Sequence, residues 1–303
     1  MLPLFGLTAD LGAARVSVVE PTVARRMWQL LEPVHAVVYF APETRAAYAE
    51  AGLKGGWMGY FASRSAAMGA VPPEMVIATF YNFHPKMVRR AIPDAWTFSM
   101  PEKVLRARLD VADLALRRLL GPDVDNENVS AAARLARVAA EAAQPAGRPL
   151  FAAHAALPWP DSPHLELWHA ATLLREFRGD GHVAALVANE IDGCEANVLI
   201  TAEHVMPPAM QRANRGWSAE EWTAAEDRLL DRGLLRTDGL TDAGRRLRAT
   251  IEDATDRLAL APYQELGATA CAELESKLLE INRSLGSAVP FPNPMGLTPA
   301  ADS

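Results

Sequence analysis

Residues 218–258 read SAEEWTAAEDRLLDRGLLRTDGLTDAGRRLRATIEDATDRL, and their punctuation decides the fold. Ser218 precedes an apolar-periodic run as an N-cap, and Glu220 and Glu221 follow in the first turn, where carboxylates meet the positive end of the helix dipole. Gly233 supplies the stop expected just past a helix C-terminus. A short strand, an Asp-Gly turn and a second short strand come next, and Thr241 caps a long helix. Helix, glycine, tight hairpin, long helix is the ending of a winged helix-turn-helix unit.

Working outward, the chain says similar things twice. Residues 31–40, LEPVHAVVYF, align with 165–174, LELWHAATLL, sharing Leu-Glu and His-Ala. LKGGWMGYFAS (53–63) aligns with IDGCEANVLIT (191–201), VPPEM (71–75) with MPPAM (206–210), and RRAIPDAW (89–96) with QRANRGW (211–217). Each match is weak alone, but the four keep their order, which points to an internal duplication. The expected architecture is mostly α: two tandem winged-helix (MarR-like) repeats forming an intramolecular pseudo-dimer. The turn-rich QPAGRP and LPWPDSP segments place the boundary. An N-terminal repeat with connecting helices is expected over 1–145, a C-terminal repeat over 146–288, and a mobile Pro-rich tail over 289–303. Between the repeats, Asn128 or Ser130 is expected to cap a helix after GPDVDNENVS.

The 303 residues suit two domains, and a formal net charge of -7 argues against general affinity for phosphate backbones or anionic lipid. Cys194 and Cys271 sit among small and apolar helical residues and read as buried, reduced thiols. The first twenty residues lack the pattern of a signal peptide, and no apolar run is long enough to cross a bilayer. A cytoplasmic protein is expected, either a monomeric pseudo-dimer or a homodimer.

The segments GYFASRSAAMGAVPPEMVIATFYNFHP, VRRAIPDAW, LWHAATLLREFRGDGHVAALV, RGWSAEEWTAAEDRLLDRGLL and IEDATDRLALAPYQELG together resemble an actinobacterial helix-turn-helix family of the SalTa type, with MarR-like winged-helix character. The likeness spans most of the chain apart from its N-terminal extreme and its tail. One departure is Tyr263, which follows Pro262 where the family pattern has Trp. The resemblance implies a fold and no reaction. MarR-like dimers keep small-molecule pockets between their DNA-binding lobes and dimerisation helices, so it also implies where a ligand would sit.

Charge tests the DNA reading. Over Ser218–Arg232 five carboxylates face two arginines, and the hairpin carries no cationic extension, so the second repeat is a poor DNA reader. The first is better: Pro85 suits the opening of a helix, and Lys86, Arg89 and Arg90 follow as candidate phosphate contacts. Because the two modules differ in charge, DNA binding ranks second.

Motifs for zinc proteases, thiol redox centres, serine hydrolases and phosphate-binding loops are absent. His35 and His169 hold matching places in the repeats and read as structural. His164 and His169 are five apart, poor spacing for two metal ligands, while His154 and His204 read as surface residues beside loops. His84, at a helix mouth beside Tyr81 and Asn82, and His182, in an apparent Gly-bounded turn with Arg178, are the candidates for ligand contact. Arg64, after Tyr60 and Phe61, is expected to anchor an anion. Placed at an interface between repeats, YNFHP and GYFASR would face FRGDGHV across a pocket. The leading reading is therefore a small-molecule-binding protein on a degenerate winged-helix scaffold, taking a hydrophobic or aromatic ligand, with metal-free acid–base chemistry by His as its catalytic option. The alternative is a one-component MarR-like regulator binding DNA through the N-terminal repeat. No cofactor is expected; a haem or tetrapyrrole on one His would have no attachment motif behind it.

Overall fold

Prolines open the helices of this chain. Pro21, Pro73, Pro85, Pro101, Pro149, Pro163 and Pro208 each stand at a first helical position, where the missing N–H removes only a donor that would lack an intrahelical partner. The computed structural model describes residues 19–203, 206–290 and 292–293. In chain order the first half runs α1 (Pro21–Phe40), α2 (Glu43–Glu50), α3 (Gly56–Ser65), α4 (Pro73–Thr79), α5 (Pro85–Arg89), α6 (Asp94–Phe98), α7 (Pro101–Leu120), α8 (Glu127–Ala142) and α9 (Pro149–Ala155). The second runs α10 (Pro163–Ala188), α11 (Gly193–Thr201), α12 (Pro208–Arg215), α13 (Ala219–Asp231), β1 (Leu235–Arg236), β2 (Gly239–Leu240), α14 (Asp242–Leu258), α15 (Ala261–Leu266) and α16 (Ala268–Leu285).

Three apolar clusters hold these elements. A central body joins α1, α8, α10, α15 and α16, with the later part of α7. The buried face of α8 is almost all alanine (Ala132, Ala133, Ala136, Ala139, Ala140), which lets neighbouring helices approach closely. An N-terminal lobe packs Phe61, Phe80, Phe83, Val88 and Ile92 of α3 to α6 and their loops onto the start of α7. A C-terminal lobe packs Ile191, Leu199, Trp222, Leu229 and Ile251 around the end of α10. Two long helices thus each cross from the body into a lobe, α7 into one and α10 into the other.

The segment that opened the sequence reading folds as its punctuation requires. Ser218 accepts from Glu221 N–H and Glu221 reaches back to Ser218 N–H, a reciprocal capping box at the start of α13. Gly233 adopts a positive φ past its end, and Thr241 caps α14 through Gly244 N–H. The hairpin pairs Leu235 with Leu240 and Arg236 with Gly239, so Thr237 and Asp238 form its two-residue loop. The aligned helices α1 and α10 pack on each other: His35 Nδ1 lies 3.0 Å from Thr172 Oγ1, and Trp168 Nε1 donates to His35 O.

Several expectations are corrected. Among the described residues the hairpin occurs once; in the first half only Ser99 and Met100 separate α6 from α7, too little chain for a wing. The last aligned block also shifts, because Trp217 precedes the cap of α13 whereas Trp96 lies inside α6. In element order the residue matching Trp217 is Phe83, just before the cap of α5. Asn126, not Asn128 or Ser130, caps α8, its side chain accepting from Val129 N–H. His154 is buried, and His204 lies outside the described residues. Of the tail expected to be mobile, Val289 packs on Ala36 and Asn293 is buried; 291 and 294–303 lie outside the described residues. No helix among the described residues is long and apolar enough to cross a membrane.

The Arg178–His182 stretch is helix, not turn: α10 runs through both glycines without a break. Their role is room. A Cβ at Gly181 would stand 2.2 Å from Arg148 Nη1, and that guanidinium lies across α10 to donate to Phe177 O at 2.6 Å and Leu258 O at 2.8 Å. Tertiary bonding to Arg148 offsets the ~1 kcal/mol that glycine costs inside a helix.

A second close approach joins the lobes. Gly193, the first residue of α11, sits so near the N-terminal lobe that a Cβ would lie 2.1 Å from Tyr81 O. Gly193→Ala should lose about 1–3 kcal/mol of stability in chemical denaturation, since backbone must move. Gly56→Ala, with nothing within 4 Å of its Cβ, should change stability by less than ~0.5 kcal/mol.

Candidate functional site

Helix α10 carries charges where its neighbours are apolar on every side. Arg175, Glu176, Arg178, Asp180 and His182 fall in the stretch that crosses from the body to the C-terminal lobe. Buried charges require partners. Glu176 finds two: Arg64 of α3 grips it with both arms, Nε at 2.9 Å and Nη2 at 2.8 Å, and Arg175 Nη1 adds a contact at 2.8 Å. Burial alone would raise the Glu176 pKa; the Arg175 and Arg64 guanidinium groups outweigh it and hold the carboxyl well below the usual range. Arg175 also reaches Glu32 of α1 at 3.5 Å. One turn on, Arg178 pairs with Asp256 of α14 at 2.6 Å, and Arg25 joins the same carboxylate at 2.7 Å.

These charges floor a cleft between the lobes. A first cavity of about 400 Å³ has aromatic walls from Trp57, Tyr60, Phe80 and Phe83, above Arg64, Arg175 and Glu176. A second, of about 530 Å³, adjoins it toward α11, α12 and α14. Glu32, Asn82, Arg175, Gly179, His182 and Arg215 line both. The expected juxtaposition is present: Tyr60, Arg64, Tyr81 and Asn82 stand in one cavity with Gly179, Asp180 and His182.

The individual roles differ from expectation. Arg64 is not a free anion anchor, because Glu176 and the Tyr60 hydroxyl (3.1 Å) occupy its guanidinium and Phe80 lies beneath it. Arg178 lines the second cavity but is taken by Asp256 and Glu252. Tyr81 donates its hydroxyl to Ile191 O at 2.7 Å, a lobe-to-lobe bond. His182 remains a candidate. Thr255 Oγ1 gives its hydrogen to Ile251 O, so His182 Nδ1–H donates to that oxygen and Nε2 is left as an acceptor. Burial lowers the His182 pKa, which favours the neutral ring. Burial does the same to His154 and His169, each lowered to about 4.

His84 is the clearest correction. It lines neither cavity. Its Nδ1 accepts from Lys86 N–H as the cap of α5, so the proton sits on Nε2, which donates to Glu221 Oε1 at 2.8 Å. The ring meets Trp217 edge to face at 4.7 Å, and Trp217 Nε1 donates to Asn82 O. The N-terminal ends of α5 and α13 thus touch each other. Lys86, Arg89 and Arg90 are exposed, with Arg89 3.5 Å from Glu74.

Sequence reasoning missed Arg175, Glu176, Arg215 and Asp180. For the three on α10 the available signal was a run of charges inside a helix otherwise apolar on all sides; Arg215, at the end of α12, carried none. Arg215 lies over the Phe83 ring at 4.6 Å; burial, with Arg64 and Arg175 nearby, lowers its pKa to about 10. Among the described residues no group of three His, Cys, Asp or Glu is placed to hold a metal ion.

Asp180 gives a pH test. Its Oδ2 accepts from Leu150 N–H and Phe151 N–H at the start of α9, yet burial outweighs both bonds and raises the carboxyl from 3.8 to about 6. Between those values the folded state holds the proton more tightly, so this group's contribution to stability falls as pH rises from 4 to 6. Asp180→Asn keeps an acceptor in place without the charge. It should stabilise the protein by about 1–3 kcal/mol at pH 8 and by progressively less toward pH 4, read from denaturation midpoints across that range.

Neither the curated proteins nor the solved structures compared with this chain yield a match. A family model does match, over residues 24–292, and it takes in the body, both lobes and the cleft between them. By that match the chain belongs to a helix-turn-helix family.

Proposed function

We propose that this chain is a small-molecule-binding protein in which two helix-turn-helix units, one of them without its wing, form an intramolecular pseudo-dimer closed around a ligand cavity. The observation that carries the reading is the seam between the lobes. A two-fold DNA reader needs its recognition helices about 34 Å apart to enter successive major grooves. Here the starts of α5 and α13 are hydrogen-bonded to each other through His84 and Glu221. The same seam roofs an aromatic-walled cleft with a few convergent polar groups, the usual make-up of a ligand site. A hydrophobic or aromatic ligand fits those walls. For proton transfer His182 Nε2 is the placed group, and His84 is not.

Family membership and the exposed Lys86, Arg89 and Arg90 favour a second reading, a one-component regulator that binds DNA through its N-terminal unit. Two measurements separate the readings. Native mass spectrometry of the purified protein, followed by thermal shift against aromatic compounds, should find a saturable ligand that raises stability by about 3 kcal/mol at a hundredfold excess over Kd. Val183→Trp, which fills the first cavity, should abolish that shift. Duplex DNA followed by anisotropy from 50 to 200 mM salt should show no specific binding. A steep salt dependence lost with Arg89→Ala and Arg90→Ala would establish the regulator instead.

A further inference from the structure

Arg108 of α7 is a buried charge without a carboxylate. It is 1 % exposed, forms no ion pair among the described residues, and buries Nε and Nη1 with no acceptor for either. Its guanidinium lies 5.2 Å from the Tyr39 ring and 5.3 Å from the Trp168 ring. Its hydrogen bond runs from Nη2 to the Tyr39 hydroxyl oxygen at 3.0 Å. Nearby groups able to carry negative charge are Tyr39, Tyr48 and Glu176, and Glu176 already serves Arg64 and Arg175. A cation buried in this way is destabilising at rest; it becomes stabilising when an oxygen beside it turns negative.

Tyr39 lines the first cavity together with Tyr60, their ring centroids 5.2 Å apart. His35 Nε2 lies 3.1 Å from the Tyr39 hydroxyl, and Thr172 Oγ1 lies 3.0 Å from His35 Nδ1. When Thr172 donates to Nδ1, the ring proton sits on Nε2. The Tyr39 oxygen then accepts from both Arg108 and His35 and keeps its own hydrogen to give. Tyr60 is arranged alike: its oxygen accepts from Arg64 Nη1 at 3.1 Å, and its hydrogen meets no acceptor among the described residues. Burial raises the Tyr39 pKa above the usual tyrosine range, with Arg108 and Arg64 opposing, so the hydroxyl holds its proton at neutral pH. Burial holds His35 well below the usual histidine range, which favours a neutral ring.

We infer that Tyr39 and Tyr60 form an oxyanion site. An aromatic ligand seats its ring among the cavity walls and directs a phenolic or enolic oxygen at the two hydroxyls, with Tyr39 as the proton donor. The inference rests on the small-molecule reading above and specifies its ligand class and its reacting atom. In the transfer the Tyr39 O–H bond breaks and an O–H bond forms on the ligand. The phenolate left behind accepts from Arg108 Nη2 and His35 Nε2. Arg108 itself does not line the cavity; it is a positioning residue whose charge stabilises that phenolate.

A spectroscopic titration of the full chain tests this. The probes are 4-nitrophenol, whose colour reports its ionisation, and 4-nitrotoluene, which has a methyl group in place of the hydroxyl. Bound 4-nitrophenol should ionise at least about 1 pH unit below the free compound, an approximately tenfold preference for the phenolate. It should also bind at least about 10-fold more tightly than 4-nitrotoluene at neutral pH. Tyr39→Phe and Arg108→Met should each erase the ionisation shift while 4-nitrotoluene binding stays within about 2-fold. If Arg108→Met folds but loses both probes, Arg108 is structural and its assignment is overturned. If the two probes bind alike and the ionisation midpoint does not move, the oxyanion site is wrong and the cavity reading stands. If neither binds, both fall. The comparison of the two probes uses the unaltered protein, so it decides the matter even where a variant folds poorly.

Discussion

The Arg64–Glu176 ion pair sets the frame for the rest of the structure. Both groups are buried, and a buried carboxylate or guanidinium without a partner is strongly destabilising. Glu176 therefore fixes more than one neighbour. Arg64 brings α3 and the N-terminal lobe to it, and Arg175, in reaching Glu32, brings α1. One turn further along α10, Arg178 and Asp256 fix α14 and the C-terminal lobe by the same logic. Apolar packing builds the body and each lobe, but charge satisfaction along a single helix sets how the lobes stand over it.

The lobes meet at a second constraint, where two helix starts share their capping groups. His84 caps α5 with one ring nitrogen and bonds Glu221 with the other, while Glu221 completes the capping box of α13. Separating the lobes would leave Glu221 without its lobe-to-lobe donor and uncover the close contact between Gly193 and Tyr81. The starts of two helices thus join one lobe to the other. A cleft enclosed by that joint follows directly. Its charged floor is the cost of the α10 ion pairs, and its aromatic walls come from the N-terminal lobe.

Much of the local structure was readable from residue order, because caps, turns and stops act over three or four residues. Ser218, Gly233 and Thr241 placed α13, the hairpin and α14 without tertiary information. The grouping of Tyr60, Arg64, Tyr81 and Asn82 with His182 around one cavity matches the expected facing of their segments. The errors share a cause. Gly179 and Gly181 read as a turn because glycine favours turns; both lie in a helix, where Gly181 leaves the space that Arg148 occupies. Arg64 and His84 read as ligand contacts because their partners, Glu176 and Glu221, are 112 and 137 residues away. The Trp96 match failed because similar spelling fell on different elements.

Sequence alone determined where α13 and α14 begin, that one hairpin follows α13, that both cysteines are buried, and that α13 presents acid to solvent. Those are properties of local hydrogen bonding, periodicity and net charge, which a short window of residues contains. Tertiary structure alone decided which carboxylate each buried arginine meets, which histidine faces the cleft, and how the two lobes join. Each of those depends on a partner distant in the chain, and the free energy of a buried charge is fixed by the group it meets after folding, not by its neighbours in sequence.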